Sequence, residues 1–256
     1  MEEQVISKAI IETYFKELIS SLDVDAAIAG AGPSGLVCAY YLASKGLKVS
    51  VFERHLKVGG GMPAGGMMFN SIVVQEEAKG VMEEFGITVK SYGEGLYTAG
   101  AIETMSAISF KAVKAGARIF NLIGVEDVVV RDKKVTGAVL NWSAVDIARL
   151  HVDPLGIKAG VVVDATGHDS EICRLVERKT GGVRVAGEKS MWAEEGEKAL
   201  DENTKEVYPN LFVCGMAANA VYGSHRMGAV FGGMLLSGKK AAALIIDKLK
   251  KNNDLS

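Results

Sequence analysis

The chain has 256 residues, 48% hydrophobic and 23% charged, enough apolar material for one sizeable core and too much for a disordered chain. Its 29 basic and 31 acidic residues leave a net charge of -2, so no polybasic surface argues for nucleic acid or an anionic membrane. Small molecules are the expected partners.

One domain is expected over 1–256, with an N-terminal helix over 3–22 and a dinucleotide-binding core from about residue 24. In that helix Ile6, Ile10, Tyr14 and Leu18 recur at helical spacing while Lys8, Glu12, Lys16 and Glu17 fall largely elsewhere, which predicts an amphipathic helix covering the sheet or a neighbouring subunit. A strand over 25–29 runs through Gly30-Ala31-Gly32-Pro33-Ser34-Gly35 into a helix over 34–45, and a strand over 48–52 ends at Glu53. Strand, glycine turn, helix and distal acid together predict an adenine dinucleotide site, where a bare glycine fingerprint would be a weak signal. Gly30 and Gly32 allow the tight turn and close approach to a pyrophosphate at the helix start near Ser34 and Gly35, and Glu53 is placed to hold the ribose hydroxyls. A carboxylate there favours NAD or FAD over NADP, although Arg54 beside it weakens that exclusion.

The glycine-rich run 58–66 reads as a loop approaching the same nucleotide through Gly59 to Gly61, with Met67 and Met68 as packing residues. Helices are predicted over 73–85 and 101–115, then strands over 118–122, 125–131 and 134–141, the last two a hairpin through Asp132-Lys133. A strand over 159–164 leads to Ala165-Thr166-Gly167-His168. The charged stretch 187–209 reads as an exposed loop or short helix with a structural role, followed by a strand over 211–214 and a final helix over 228–250. The fold class expected is α/β, a Rossmann-like FAD/NAD(P)-binding flavoprotein-type fold with a central parallel sheet and an additional β-rich portion. Cys38, Cys173 and Cys214 have no metal or redox spacing and lie in or beside apolar segments, which predicts buried reduced thiols. With no basic leader and no membrane-length apolar window, a soluble cytoplasmic protein is expected.

The fingerprint, the glycine loop, the strand end Val162 to Gly167 and the run Asn210 to Gly215 resemble the two-dinucleotide-binding-domain flavoproteins, so an FAD-dependent oxidoreductase is one reading. Flavoproteins of that type usually carry an acid after the last glycine for the ribitol, and Met216 cannot supply that hydrogen bond. Three further segments, Leu150-His151-Val152-Asp153-Pro154, Asp164-Ala165-Thr166-Gly167-His168-Asp169 and His225-Arg226-Met227-Gly228 onward to Met234, resemble the thiazole synthase family of thiamine biosynthesis in its archaeal form. The resemblance runs from the N-terminal helix to the final one. A module that binds nucleotide or metal without turnover is the alternative from another class.

What the resemblance implies is an enzyme of the pentosyl-transfer type that consumes NAD as a substrate. Nicotinamide is lost, the ADP-ribose sugar opens, glycine and sulfur are incorporated, and an adenylated thiazole carboxylate forms with the help of Fe(II). Asp153 and His168 are the implied iron ligands, shared between subunits of a homo-oligomer, an octamer by resemblance; carboxylate with imidazole suits ferrous iron. Arg226 is implied as the grip on the glycine carboxylate, its planar fork matching that group. Ser34, Glu53, Arg54, Gly61, Val125, His151, Val152, Asp153 and Met216 match nucleotide contacts by position, with core packing an equal alternative for Val125 and Met216. Eukaryotic members give up sulfur from a cysteine two residues before the Asp-Pro aspartate. His151 stands there in this chain and has no sulfur to give, so the implied donor is external sulfide and the implied catalyst turns over many times. His151 itself either contacts the nucleotide or positions sulfide, or merely replaces the cysteine. By residue type alone His168 also reads as a hydrogen-bonded core histidine, and Arg226 as a surface arginine on a carbonyl. No chemistry is assigned to His55 or His225.

Overall fold

Strand residues alternate between two faces, and when both faces are covered a central strand becomes an unbroken apolar run. The stretch Ala26 to Ala29 is such a run. A computed structural model describes residues 2–253. In chain order, α1 (Glu3–Ser20) leads into the unit β1 (Asp23–Ala29), α2 (Pro33–Ala43) and β2 (Val49–Glu53), after which the glycine loop contains one 3-10 turn over Met62–Ala64. An excursion of β3 (Ser71–Gln75), α3 (Glu76–Glu84), β4 (Val89–Gly93) and β5 (Leu96–Gly100) precedes α4 (Ala101–Lys114) and β6 (Arg118–Asn121). The hairpin β7 (Ile123–Arg131) and β8 (Lys134–Trp142) is followed by α5 (Ser143–Ile147), β9 (Leu155–Asp164), a 3-10 turn over Gly167–Asp169 and α6 (Glu171–Thr180). The described chain closes with β10 (Lys189–Met191), α7 (Ala193–Asn203), β11 (Lys205–Tyr208), β12 (Leu211–Val213), α8 (Met216–Tyr222), β13 (His225–Arg226) and α9 (Gly232–Asn253).

The main sheet runs β11-β12-β9-β1-β2-β6, parallel except for β11, and the β7-β8 hairpin is attached through β8 antiparallel to β9. This is the expected α/β fold of Rossmann-like FAD/NAD(P)-binding type, with the hairpin and a separate sheet β3-β5-β4 as its β-rich additions. Ala26, Ile28, Val49, Val51, Val161 and Val163 face α2, α3, α4 and α9 across one core. The alternate residues Ala27, Ala29, Phe52, Val162, Leu211 and Val213 face α6, α8 and the hairpin across the other. Two cores back to back pin the register, because a slip of one residue would exchange them.

Several expectations need correction. Residues 73–75 belong to β3 rather than to a helix, because Ile72 and Val74 pair with Ala99 and Tyr97 of β5 while period alone cannot separate a short buried strand from a helix. The final helix starts at Gly232 rather than Gly228. Met67 and Met68 do not pack; both sit at positive φ and are exposed. Helix α1 buries only Leu18, with Tyr14 edge-on to Phe120, and leaves Val5, Ile10, Ile11, Phe15 and Ile19 exposed. It covers the sheet only through Leu18 and Tyr14. The stretch 187–209 holds two strands and a helix, and its Leu200 and Thr204 are buried. All three cysteines are buried and free, as expected. Among the described residues no helix is long and apolar enough to cross a membrane.

Where α7 meets the start of α9, the Gln75 amide and the Gly233 N–H both donate to the Glu197 carboxylate, yet Gln75 Oε1 and Glu197 Oε1 are buried without a partner. Burial raises the Glu197 carboxyl above its ordinary range. A raised folded-state value means the folded protein holds the proton longer, so the stability associated with Glu197 falls as pH climbs from the ordinary carboxylate value through the raised one. Replacing Glu197 by Gln removes the ionisation and supplies a donor for Gln75 Oε1. In urea unfolding, Glu197→Gln should therefore gain on the parent as pH rises above the ordinary carboxylate range; a stability difference that stays flat from acid to neutral pH would refute this account.

Candidate functional site

Three parallel strands, β1, β9 and β12, end side by side, and their carboxyl ends open onto one cleft of about 1210 Å³. Ligands of open α/β sheets bind at such ends. The first wall is the turn after β1. Gly30 has φ +100°, and a Cβ there would lie 2.5 Å from the Ala165 carbonyl oxygen; a Cβ on Gly35 would collide with the Gly30 carbonyl. A Cβ on Gly32, in contrast, would meet nothing within 4 Å, since that face of the turn looks into the cleft at the start of α2. The first and third glycines are there for packing, the second for whatever fills the space. The Gly59 N–H donates to the Ala31 carbonyl at 2.7 Å and folds the glycine loop, with Gly61, over this wall.

Glu53 is almost fully buried at the end of β2. Its Oε2 accepts from the Ala31 N–H at 2.9 Å, and its Oε1 accepts from the His55 N–H at 2.8 Å and faces the His55 ring Nδ1 at 3.0 Å. The carboxylate thus ties the glycine turn to β2, and it retains acceptor capacity toward the cleft it lines. Arg54 pairs with Glu171 at the start of α6. Ser34, Val125 and Met216 line the same cleft, Ser34 and Met216 being buried. Met216 therefore both packs in the core and borders the cleft.

The opposite wall begins at Asp164, fully buried at the end of β9. Its Oδ1 accepts from the Thr166 N–H at 3.0 Å and the Thr166 hydroxyl at 2.6 Å; its Oδ2 accepts from the Cys173 N–H at 2.9 Å and the Ser170 hydroxyl at 3.4 Å. The Thr166 hydroxyl in turn accepts from the Glu171 N–H at 2.8 Å. One carboxylate therefore fixes both ends of the 3-10 turn that carries His168 and caps α6, which a buried acid does well when every donor is satisfied. His168 lines the cleft, and its Nδ1 lies 2.9 and 2.8 Å from the two carboxylate oxygens of Glu188. The sequence reading gave 187–209 a structural role only and missed Glu188; no spacing links it to His168. Arg226 reaches the cleft from β13, which pairs in parallel with β10.

The segment His151, Val152 and Asp153 is exposed between α5 and β9 and does not line this cleft. The chain by itself therefore brings His168 and Arg226 together with the wall of Gly32 and Glu53 and leaves Asp153 outside. Among the described residues no three His, Cys, Asp or Glu side chains converge as a metal site. The donor chemistry nevertheless suits an ion at His168, an imidazole whose second nitrogen is already engaged by a carboxylate. Cys38, Cys173 and Cys214 are poor nucleophiles: burial pushes the Cys38 and Cys173 thiols well up and Cys214 up to about 12.

Comparison with known proteins agrees in extent with this architecture. The model of the Thi4 family matches residues 7–231. The thiamine thiazole synthase of Methanothermobacter thermautotrophicus is 55% identical over 256 residues, covering 98% of this chain and 99% of that protein. The Pyrococcus furiosus thiamine thiazole synthase is 53% identical, covering 97% and 99%. The crystal structure of Thermovibrio ammonificans THI4 superposes with a TM-score of 0.96 at 51% identity, covering 98% of this chain and 99% of that one.

The two glycines give opposite expectations. Gly35→Ala should lower unfolding stability by about 1–3 kcal/mol through overpacking, whereas Gly32→Ala should stay within about 0.5 kcal/mol of the parent and weaken NAD binding in a calorimetric titration. Undiminished NAD binding by Gly32→Ala would place the pyrophosphate elsewhere.

Proposed function

The chain belongs to the Thi4 family and is an enzyme of thiazole synthesis for thiamine, and from that premise we propose that it builds an adenylated thiazole carboxylate from NAD, glycine and sulfide with Fe(II), releasing nicotinamide at every turnover. The observation that carries this reading is the sharing of one cleft by the open face of Gly32, the Glu53 carboxylate, His168 and Arg226. A site that only stored nucleotide would have no use for the last two.

Each residue has a task set by its chemistry. The positive end of α2 and the bare face of Gly32 receive the diphosphate, and the spare lone pairs of Glu53 receive the ribose hydroxyls. Gly61, Val125 and Met216 shape the adenosine side of this cleft, with Arg54 held in position by Glu171 and Val152 supplied, like Asp153, from a neighbouring subunit. Arg226 clamps the glycine carboxylate through its planar fork. His168 and Asp153 hold the ferrous ion, which when bound supplies Lewis acidity and an open position for sulfide. None of the three cysteines is exposed or readily ionised, and position 151 is a histidine, which supports sulfide as the sulfur source. His151, two residues before Asp153 and exposed with it, would orient the incoming sulfide or nucleotide at the shared site.

Because Asp153 lies outside the cleft of its own chain, the complete site is one shared between subunits of a homo-oligomer, an octamer in this proposal. The exposed apolar residues Leu150 and Val152 around His151, and those of α1, are what such an assembly would cover.

The direct test is anaerobic incubation of the purified protein with NAD, glycine, Fe(II) and sulfide, followed by mass analysis. Nicotinamide and the adenylated thiazole should appear in several-fold excess over protein, and only with sulfide. Release of FAD from the protein on denaturation, with no thiazole formed, would return the chain to the oxidoreductases. Sharing of the site has its own readout. Asp153→Ala and His168→Ala should each be inactive alone, yet after mixing and reassembly regain on the order of a quarter of the parent activity, as random pairing of subunits across a shared site requires. Persistent inactivity of the mixture, with subunit exchange verified, would put both ligands in one chain.

A further inference from the structure

We propose that Glu188 is the positioning residue of His168, fixing the ring in its Nδ1–H tautomer so that Nε2 alone is presented to the cleft. The inference rests on the role given to His168 above but reaches a residue outside the motifs that identify the family.

The geometry is specific. Both Glu188 oxygens lie within hydrogen-bond distance of one ring nitrogen, at 2.9 and 2.8 Å. An ionised carboxylate has lone pairs and no donor, so the proton of that bond belongs to Nδ1, and a neutral ring then has its lone pair on Nε2. Free imidazole side chains in water prefer the opposite tautomer, and Glu188 reverses that preference. Nε2 has no protein partner among the described residues and the ring borders the cleft. A surface ion pair would not be persuasive, but the Glu188 side chain is 13% exposed while the ring is 47% exposed. The carboxylate is the buried, fixed member and the ring is the one that meets solvent.

Backbone contacts on both sides hold Glu188 in place. The Gly187 N–H donates to the Ala220 carbonyl of α8 at 2.9 Å, and the Lys189 N–H donates to the Ser224 carbonyl at 3.0 Å. Lys189 then registers against His225, and Met191 against Arg226. The residue that orients His168 therefore sits immediately before β10, and the proposed glycine clamp lies on the paired strand β13. A displacement of this ribbon moves both together. Metal-binding imidazoles commonly donate their second nitrogen to a carboxylate, and removing that partner loosens the ion.

The test begins without metal. In 15N-labelled protein, long-range proton–nitrogen NMR resolves the tautomer of each of the four histidines, and His168→Gln identifies the relevant signals. With its ring neutral, His168 should be the Nδ1–H form in the parent and in Glu188→Gln, whose amide oxygen still accepts, and revert to Nε2–H in Glu188→Ala. Anaerobic Fe(II) titration should then show affinity about 10–100-fold weaker in Glu188→Ala, with much of the loss recovered in Glu188→Gln. An Nε2–H ring in the parent, or a tautomer indifferent to Glu188→Ala, overturns the proposal. If Glu188→Ala does not fold, the parent and Glu188→Gln decide on the tautomer alone. A parent that shows Nδ1–H but takes up no Fe(II) sinks the metal assignment instead and supports the positioning role, so the two readings fail separately.

Discussion

The Asp164 carboxylate has no solvent contact and gathers donors from Thr166, Ser170 and Cys173 at the end of the strand that lies between β1 and β12. A buried charge is tolerated only when such donors satisfy it, and here the donors belong to the turn that leads out of the sheet. The neighbouring Ala165 N–H donates to the Ala29 carbonyl, and the Cys214 N–H to the Asp164 carbonyl, so the three strand ends are laced together beneath the cleft. The glycine turn packs directly on this lacing, since only the missing Cβ of Gly30 lets it approach the Ala165 carbonyl. Glycine wall and histidine wall consequently share a foundation. Neither can shift without disturbing the other.

Above that foundation the cleft divides by chemistry. The Glu53 and Gly32 side is built from backbone and one carboxylate, suited to hydroxyls and a diphosphate, and its polar groups are already tied into the protein before any ligand arrives. The opposite side presents an imidazole and a guanidinium from separate elements held by the small β10-β13 ribbon. This arrangement is preorganised in the useful sense: the orienting bonds are made inside the fold, so binding does not have to assemble them. Apolar residues of α1 and of the rim around His151 are among those the chain leaves exposed.

The sequence by itself determined the features that short-range patterns encode. The glycine fingerprint between two apolar runs, closed by Glu53, dictated the βαβ unit; the hairpin through Asp132 and Lys133 followed from its flanking alternation, and both turn residues do take positive φ. The burial of the three cysteines and the motif that puts His168 just past a strand end were equally legible. Local signals failed where an apolar run was too short to declare its period, as at residues 73–75, while helices α6 and α8 went unassigned although α6 places Ile172, Cys173 and Val176 on one buried face.

Tertiary structure alone decided who meets whom. Glu188 stands 20 residues from His168, and nothing in the intervening composition marks it as a partner. Strand register delivers it, because β10 must pair with β13 and the chain before it must pass the carboxyl end of β9. The same holds for the fingerprint glycines: sequence groups Gly30 with Gly32, and only packing shows that Gly30 and Gly35 are closed off by backbone while Gly32 faces open space. Asp153, next to His151 in sequence and central to the motif, ends up outside the cleft of its own chain. Hydrogen-bond geometry depends on distances between segments far apart in sequence, and those distances exist only once both cores have closed on the sheet.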